Sequence, residues 1–319
     1  MPTPSEPALA DASANSASTW NASPAASRRS VFPNYRTAVA HSSSAPALAP
    51  APTSPQIAGQ TLQFSIDVAV ARCFIHQFLA RAWQDPAPET WSWLTDRETL
   101  AALWPAVTSV ASSLLPVTQV LIDRLANDSF DSFHLAYLSA FGHAARGPHA
   151  LNEIEYGDLK ADPLFQPHRL ADLAAFYRAF GMEIAPDAGE RHDHLCLELE
   201  FLCFLAAREA YALEHQLEPE DLAISRDAQK KFLREHLGRW VPACMRRLAR
   251  ELAPGALQSL AQFTRTFIET DCARFGVPGG SEDLLLRPVD SSAESLCASC
   301  GLSSLPPGAL AETGTGTYT

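Results

Sequence analysis

From residue 62 to residue 275, apolar side chains recur mostly three or four positions apart, the period of helices that bury one face. Leu62, Ile66, Ala69, Val70, Cys73, Phe74, Phe78 and Leu79 predict a first helix over 62–84, stopped at Asp85-Pro86-Ala87-Pro88 because proline disfavours helical geometry in the residue before it. Trp91, Leu94 and Leu103 predict a second over about 89–103, and a third is predicted over about 110–126, with Pro116 able to delay its start. Asp131 is a candidate N-cap for a helix carrying Phe133, Leu135, Tyr137, Leu138 and Phe141 and ended by Gly142. Residues 142–166 lack periodicity and hold Gly147, Pro148, Gly157 and Pro163, so this long connection is expected to be functional or tied down by its own side chains. Pro167 marks the start of a helix that buries Leu170, Leu173, Phe176 or Tyr177, and Phe180, and stops at Gly181. Further helices are predicted over about 192–215, 225–237, 240–252 and 255–275, the last two divided by Pro254-Gly255.

With almost no Val/Ile/Thr alternation, the pattern predicts an all-α chain with a single compact multi-helix domain over 59–280. The first 60 residues hold nine of the 24 prolines and are otherwise mostly Ala, Ser and Thr. Burial there could not offset chain entropy, so residues 1–58 are expected to be a disordered tail and 281–319 a loosely ordered one.

The net charge of −12 repels phosphate backbones and anionic lipid, which argues against nucleic acid and favours basic partners, and no apolar run reaches the roughly 18 residues that membrane insertion needs. Seven cysteines, an odd number, fit a reducing cytoplasm better than a disulfide framework. Ser27-Arg28-Arg29-Ser30-Val31-Phe32 looks like a twin-arginine export motif, but Pro33, Asn34, Tyr35 and Arg36 follow where an apolar segment would be needed.

Residues 190–205 hold the densest candidate chemistry. A charged turn, Glu190-Arg191-His192-Asp193-His194, runs into a helix apolar on nearly every side that nonetheless carries Glu198 and Glu200. Carboxylates buried there must be paired. His194 and Glu198 lie one helical turn apart, so with His192 they could hold a metal, although no further ligand follows by spacing. The structural alternative is a helix start in which Asp193 complements the helix dipole and His194 pairs with Glu198. Cys196 and Cys203, two turns apart, are expected in the core, and a single Cys297-x-x-Cys300 is a weak zinc signal. Glu153 and Glu155 could serve acid/base work or be solvated acids. No nucleophile elbow, Walker loop or dinucleotide fingerprint is present, so neither a catalytic residue nor a cofactor is expected.

Four segments in order resemble the motifs of the TorD/DmsD/NarJ chaperones: Leu151-Asn152-Glu153-Ile154-Glu155-Tyr156-Gly157; Leu170 to Gly181; Glu190 to Leu195 with Glu198-Leu199-Glu200-Phe201; and Phe232-Leu233-Arg234-Glu235-His236-Leu237 followed by Trp240-Val241-Pro242. The resemblance implies an all-helical, cytoplasmic, non-catalytic protein of the branch serving the dimethyl sulfoxide reductase superfamily. Its partner would be an apo molybdoenzyme catalytic subunit, bound through its twin-arginine signal peptide, its folded body, or both, until the molybdopterin cofactor is inserted. Asp193 and His194 match a loop implicated in peptide recognition. A peptide with two guanidinium groups and an apolar stretch calls for acids beside an apolar groove, with Glu153, Glu155, Asp193 and Glu198 as candidate acids and Tyr156, Tyr177 and Phe201 as candidate lining. The competing readings are a metal-dependent enzyme built on His192, His194 and Glu198, and an adaptor acting through the N-terminal tail.

Overall fold

In the computed structural model, which describes residues 20–22, 54–142, 149–157, 165–185, 190–281 and 284–286, the first amphipathic run forms helix α1, Ser54–Ala82. Its buried face carries Ile75, Phe78 and Leu79, with Trp83 just beyond its end, all fully enclosed. α1 packs most extensively on α7, Leu195–Glu214, the helix that is apolar nearly all round and correspondingly buried on nearly every side. These two helices form the centre of the domain. Around them lie α2, Pro88–Leu94; α3, Arg97–Val110; α4, Leu115–Asn127; α5, Phe130–Phe141; α6, Phe165–Ala179; α8, Pro219–Glu235; α9, Leu237–Glu251; and α10, Ala256–Arg274. A two-stranded antiparallel ribbon pairs β1, Trp20–Ala22, with β2, Met182–Ile184, in the register Trp20 to Ile184. The remaining residues of the two tails, with Arg28, Arg29, Cys297 and Cys300, lie outside the described residues.

Boundaries differ from the sequence reading where a cap or proline outranks periodicity. The run expected over 89–103 is two helices, because the Asp96 carboxylate accepts from the N–H groups of Glu98 and Thr99, at 2.9 and 3.2 Å, and starts α3 afresh. Pro105 sits inside α3, which runs on to Val110. A 3-10 turn, Ser112–Leu114, precedes α4, with Pro116 in its first turn. The cap of α5 is Ser129, whose hydroxyl accepts from Ser132 N–H at 3.2 Å; Asp131 lies within the first turn. Pro219 starts α8 six residues before the expected Ser225.

The α9 end of the domain depends on two close backbone approaches. Pro242 lies inside α9 and has no N–H to offer the carbonyl of Gly238, and that carbonyl accepts instead from Gly280 N–H at 3.1 Å. A Cβ on Gly280 would collide with the Arg239 carbonyl, and one on Gly238 with the Leu233 carbonyl and, at 2.5 Å, with Cys272 Sγ. Gly279-Gly280, uninformative as a sequence pair, therefore holds the chain after α10 against the start of α9.

A buried ionic network ties four helices together. Arg72 of α1 donates to both oxygens of Asp271 on α10 and, at 3.3 Å, to Glu209 of α7, which also accepts from Arg226 and Gln229 of α8 at 2.7 and 2.9 Å. His76 Nε2 lies 3.0 Å from Asp271, and burial pulls the imidazole pKa down despite that carboxylate.

Candidate functional site

Asp193 fastens the 149–157 segment to the start of α7. Its carboxylate, 0% exposed, accepts from Ile154 N–H at 3.1 Å and from Asn152 Nδ2 at 3.3 Å. The backbone adds an isolated antiparallel bridge between Asn152 and His194, with Glu153 N–H donating to Asp193 O at 2.9 Å and Leu195 N–H to Leu151 O at 2.8 Å. Thus the first and third sequence motifs meet, and residues 149–157 of the long connection are held against the start of α7.

Arg191 closes this junction from outside. Its Nε and Nη2 donate to the two oxygens of Asp193 at 2.9 and 3.0 Å, and Nη2 also reaches Glu155 at 3.2 Å. Burial alone would lower the Arg191 pKa, but the hydrogen bonds and charges of Asp193 and Glu155 outweigh it and raise it.

His194 is the N-cap of α7: its Nδ1 accepts from Cys196 N–H at 3.3 Å, which places the ring proton on Nε2, 3.5 Å from Glu190. Burial brings its pKa down to about 4, so the ring is neutral near pH 7. The expected His194–Glu198 pair is not formed. One turn further along α7, Glu198 points into the core and accepts from Trp240 Nε1 at 3.2 Å, while its other oxygen has no hydrogen-bond partner. Burial first, and then the charge of Glu153, push the Glu198 pKa well above 4.5 and disfavour its ionised form.

Glu153 has the opposite environment. It is equally buried, yet Oε2 lies 3.0 Å from His236 Nδ1, and Oε1 accepts from Arg169 and, at 3.2 Å, from Arg239. Burial raises its pKa, but the hydrogen bond and charge of His236 and the charge of Arg169 more than offset this and lower it. Through His236, at the break between α8 and α9, the fourth motif joins the first. The second joins through α6: Tyr177 donates to His192 O at 2.8 Å, and its ring lies 5.0 Å from Phe201.

All four sequence motifs therefore converge on one seam. Tyr156, Tyr177 and Phe201, expected along a groove, are enclosed in the core. The Tyr156 hydroxyl donates to Ala150 O at 2.7 Å, and the ring stacks on Trp240 at 5.2 Å. Glu153 and Glu198 are likewise withdrawn from solvent, while Glu155 and Arg191 reach the surface beside Asp193. The metal trio does not assemble, because His192 is exposed, His194 Nδ1 caps α7 and Glu198 turns to Trp240. Among the described residues no group of three or more His, Cys, Asp or Glu is placed to hold an ion. Sequence reasoning missed Arg191 as a clamp and Trp240 as the partner of Glu198. It also missed the Arg72 network, whose one available signal was an arginine on the apolar face of α1.

The four motifs of this helical domain fasten loops and helix ends to one seam. Residues 101–246 match the family model described as nitrate reductase delta subunit. Over 206 residues the chain is 27% identical to a perchlorate reductase assembly chaperone of Dechloromonas aromatica, covering 64% of this chain and 89% of that one. It is 33% identical over 118 residues to a selenate reductase assembly chaperone of Thauera selenatis, 37% of this chain and 58% of that one. Against the chaperone TorD of Vibrio cholerae it is 30% identical over 124 residues, 39% and 52% of the two chains, so it spans about half of that relative's length. The chain is thus similar to TorD/NarJ-type chaperones, and these relatives are named chaperones and assembly proteins. No helix among the described residues is long and apolar enough to cross a membrane.

Proposed function

We propose that this chain is a maturation chaperone that binds the apo catalytic subunit of a molybdopterin-containing reductase and keeps it open for cofactor insertion. The observation that carries the reading is the convergence of four ordered motifs on one seam, in a chain similar to proteins named as assembly chaperones for perchlorate, selenate and chlorate reductases. Within it, Asp193 and Glu155 receive an arginine of the client, including one of its twin-arginine signal peptide, and His194 keeps the start of α7 in register with the 149–157 segment. Glu153, Glu198, Tyr156, Tyr177 and Phe201 act from beneath by fixing that surface. The acidic chain steers a basic peptide toward the site. The chaperone works in the cytoplasm, before export of its client.

The test is deletion of this chain in a strain expressing the candidate reductase, with molybdenum per purified catalytic subunit as the readout. Loading is expected to fall several-fold and to recover on complementation. Unchanged loading, together with failure to capture any apo-subunit from co-expressing cells, removes the reading.

A further inference from the structure

The acids at the seam differ in what already occupies them. Glu153 is enclosed by His236, Arg169 and Arg239, and Glu198 lies against Trp240 in the core. The junction of Asp193 and Glu155 is held by Arg191, whose side chain is 45% exposed, whereas that of Asp193 is 0% and that of Glu155 14% exposed. The carboxylates thus form the floor of the contact and the guanidinium its lid.

We propose that Arg191 is an internal stand-in for a client arginine: it occupies the guanidinium site formed by Asp193 and Glu155 in the free chaperone and yields it when an arginine-bearing segment docks. This rests on the reading of that surface as client-binding.

Three features of the geometry support the exchange. The two-point contact of Nε and Nη2 with Asp193 is the fork a guanidinium makes with a carboxylate, and an incoming arginine reproduces it whereas a lysine ammonium cannot. Arg191 already faces water over nearly half its surface, so it is readily solvated on leaving, while the enclosed Asp193 carboxylate favours an incoming cation in its place. The floor persists without the lid: Asp193 keeps Ile154 N–H and Asn152 Nδ2, and the backbone bridge to His194 does not involve Arg191. Replacing one guanidinium by another in a preformed site is close to neutral in free energy. The observed affinity of the client is then reduced by the fraction of molecules in which the site is closed, which suits a chaperone that must release its client.

The experiment uses the full chain and a synthetic peptide carrying an Arg-Arg pair ahead of an apolar run, with a Lys-Lys counterpart. Arg191→Ala is expected to tighten the Arg-Arg peptide by about tenfold, as for a site freed from a competitor occupying it about nine-tenths of the time. The Lys-Lys peptide should gain much less, and Arg191→Lys should fall between wild type and Arg191→Ala. Arg124→Ala, the same charge change at an exposed position on α4, controls for net charge and is expected to leave affinity within about twofold. In the unmutated protein, the Arg191 Nε–H NMR signal should shift on titration with the Arg-Arg peptide, a readout that does not depend on how the variants fold. Equal affinities of wild type and folded Arg191→Ala, an equal gain in Arg124→Ala, or an unmoved Nε–H signal at peptide saturation overturns the inference. If the apo-subunit is still captured in that case, the chaperone reading stands without it. If neither subunit nor peptide binds any variant, both fall.

Discussion

Glu153 and Glu198 are both fully buried in one seam, yet their surroundings shift their pKa values in opposite directions, and this difference is open to a stability measurement. Glu153→Gln removes the anion that faces His236, Arg169 and Arg239. Breaking a buried pair in this way costs roughly 3–5 kcal/mol. Arg169 and Arg239 keep 18% and 25% of their side chains exposed and can turn partly to water, so the lower end, about 3 kcal/mol, is the expected loss. Glu198→Gln replaces a carboxyl whose ionised form burial disfavours with a neutral group of the same shape. The amide oxygen still accepts from Trp240, and the protonation of a normally ionised acid is no longer required on folding. The expected change lies between a destabilisation of about 1 kcal/mol and a net stabilisation. Urea unfolding at pH 7, followed by far-UV circular dichroism, compares the two variants directly. A loss for Glu198→Gln equal to that for Glu153→Gln would refute the opposite shifts assigned to the two acids.

Other outcomes follow from the same contacts. Asp271→Asn leaves Arg72 buried beside His76 without its main counter-charge and should lower unfolding stability by about 3–5 kcal/mol, measured by urea titration. Gly280→Ala should displace the residues after α10 from α9 and destabilise by about 1–3 kcal/mol, with faster amide exchange at residue 280 as the local marker. His194, with its pKa lowered from 6.5 to about 4, is protonated more readily in the unfolded chain, so its contribution to stability is lost as pH falls from about 6.5 toward 4. His76 and His149 are also lowered and act in the same direction, whereas the raised pKa of Glu198 opposes it, because acidification protonates that group in the unfolded chain as well. Melting temperature against pH should therefore decline below about 6.5, and Glu198→Gln should steepen the decline; a flat profile over that interval would contradict the assignments.

Periodicity made the helical class legible because α1, α7 and α10 each bury a wide face, and packing there follows the pattern of side chains. Capping and proline geometry decided the boundaries: one carboxylate, Asp96, divides α2 from α3, and Pro219 starts α8. The importance of the 190–205 stretch was also legible, since acids in an apolar helix require a partner. The partners themselves were not, because they come from remote positions. Trp240 lies 42 residues from Glu198, His236 lies 83 from Glu153, and Asp271 lies 199 from Arg72. Local spacing favours His194 for Glu198, but the ring is drawn to the free N–H groups at the start of α7, and Glu198 turns inward. The resemblance located the seam, and the geometry sorts its charged groups: Glu153, Glu198 and Asp193 are enclosed, while Glu155 and Arg191 lie at its edge.

The central claim, that this chain holds an immature reductase subunit, is tested most directly by measuring its affinity for one catalytic subunit with and without the molybdopterin cofactor. Binding of the apo-subunit at least tenfold tighter than of the loaded subunit is expected, weakened by Asp193→Asn in the chaperone. Equal binding of the two forms, or none to either, would contradict it.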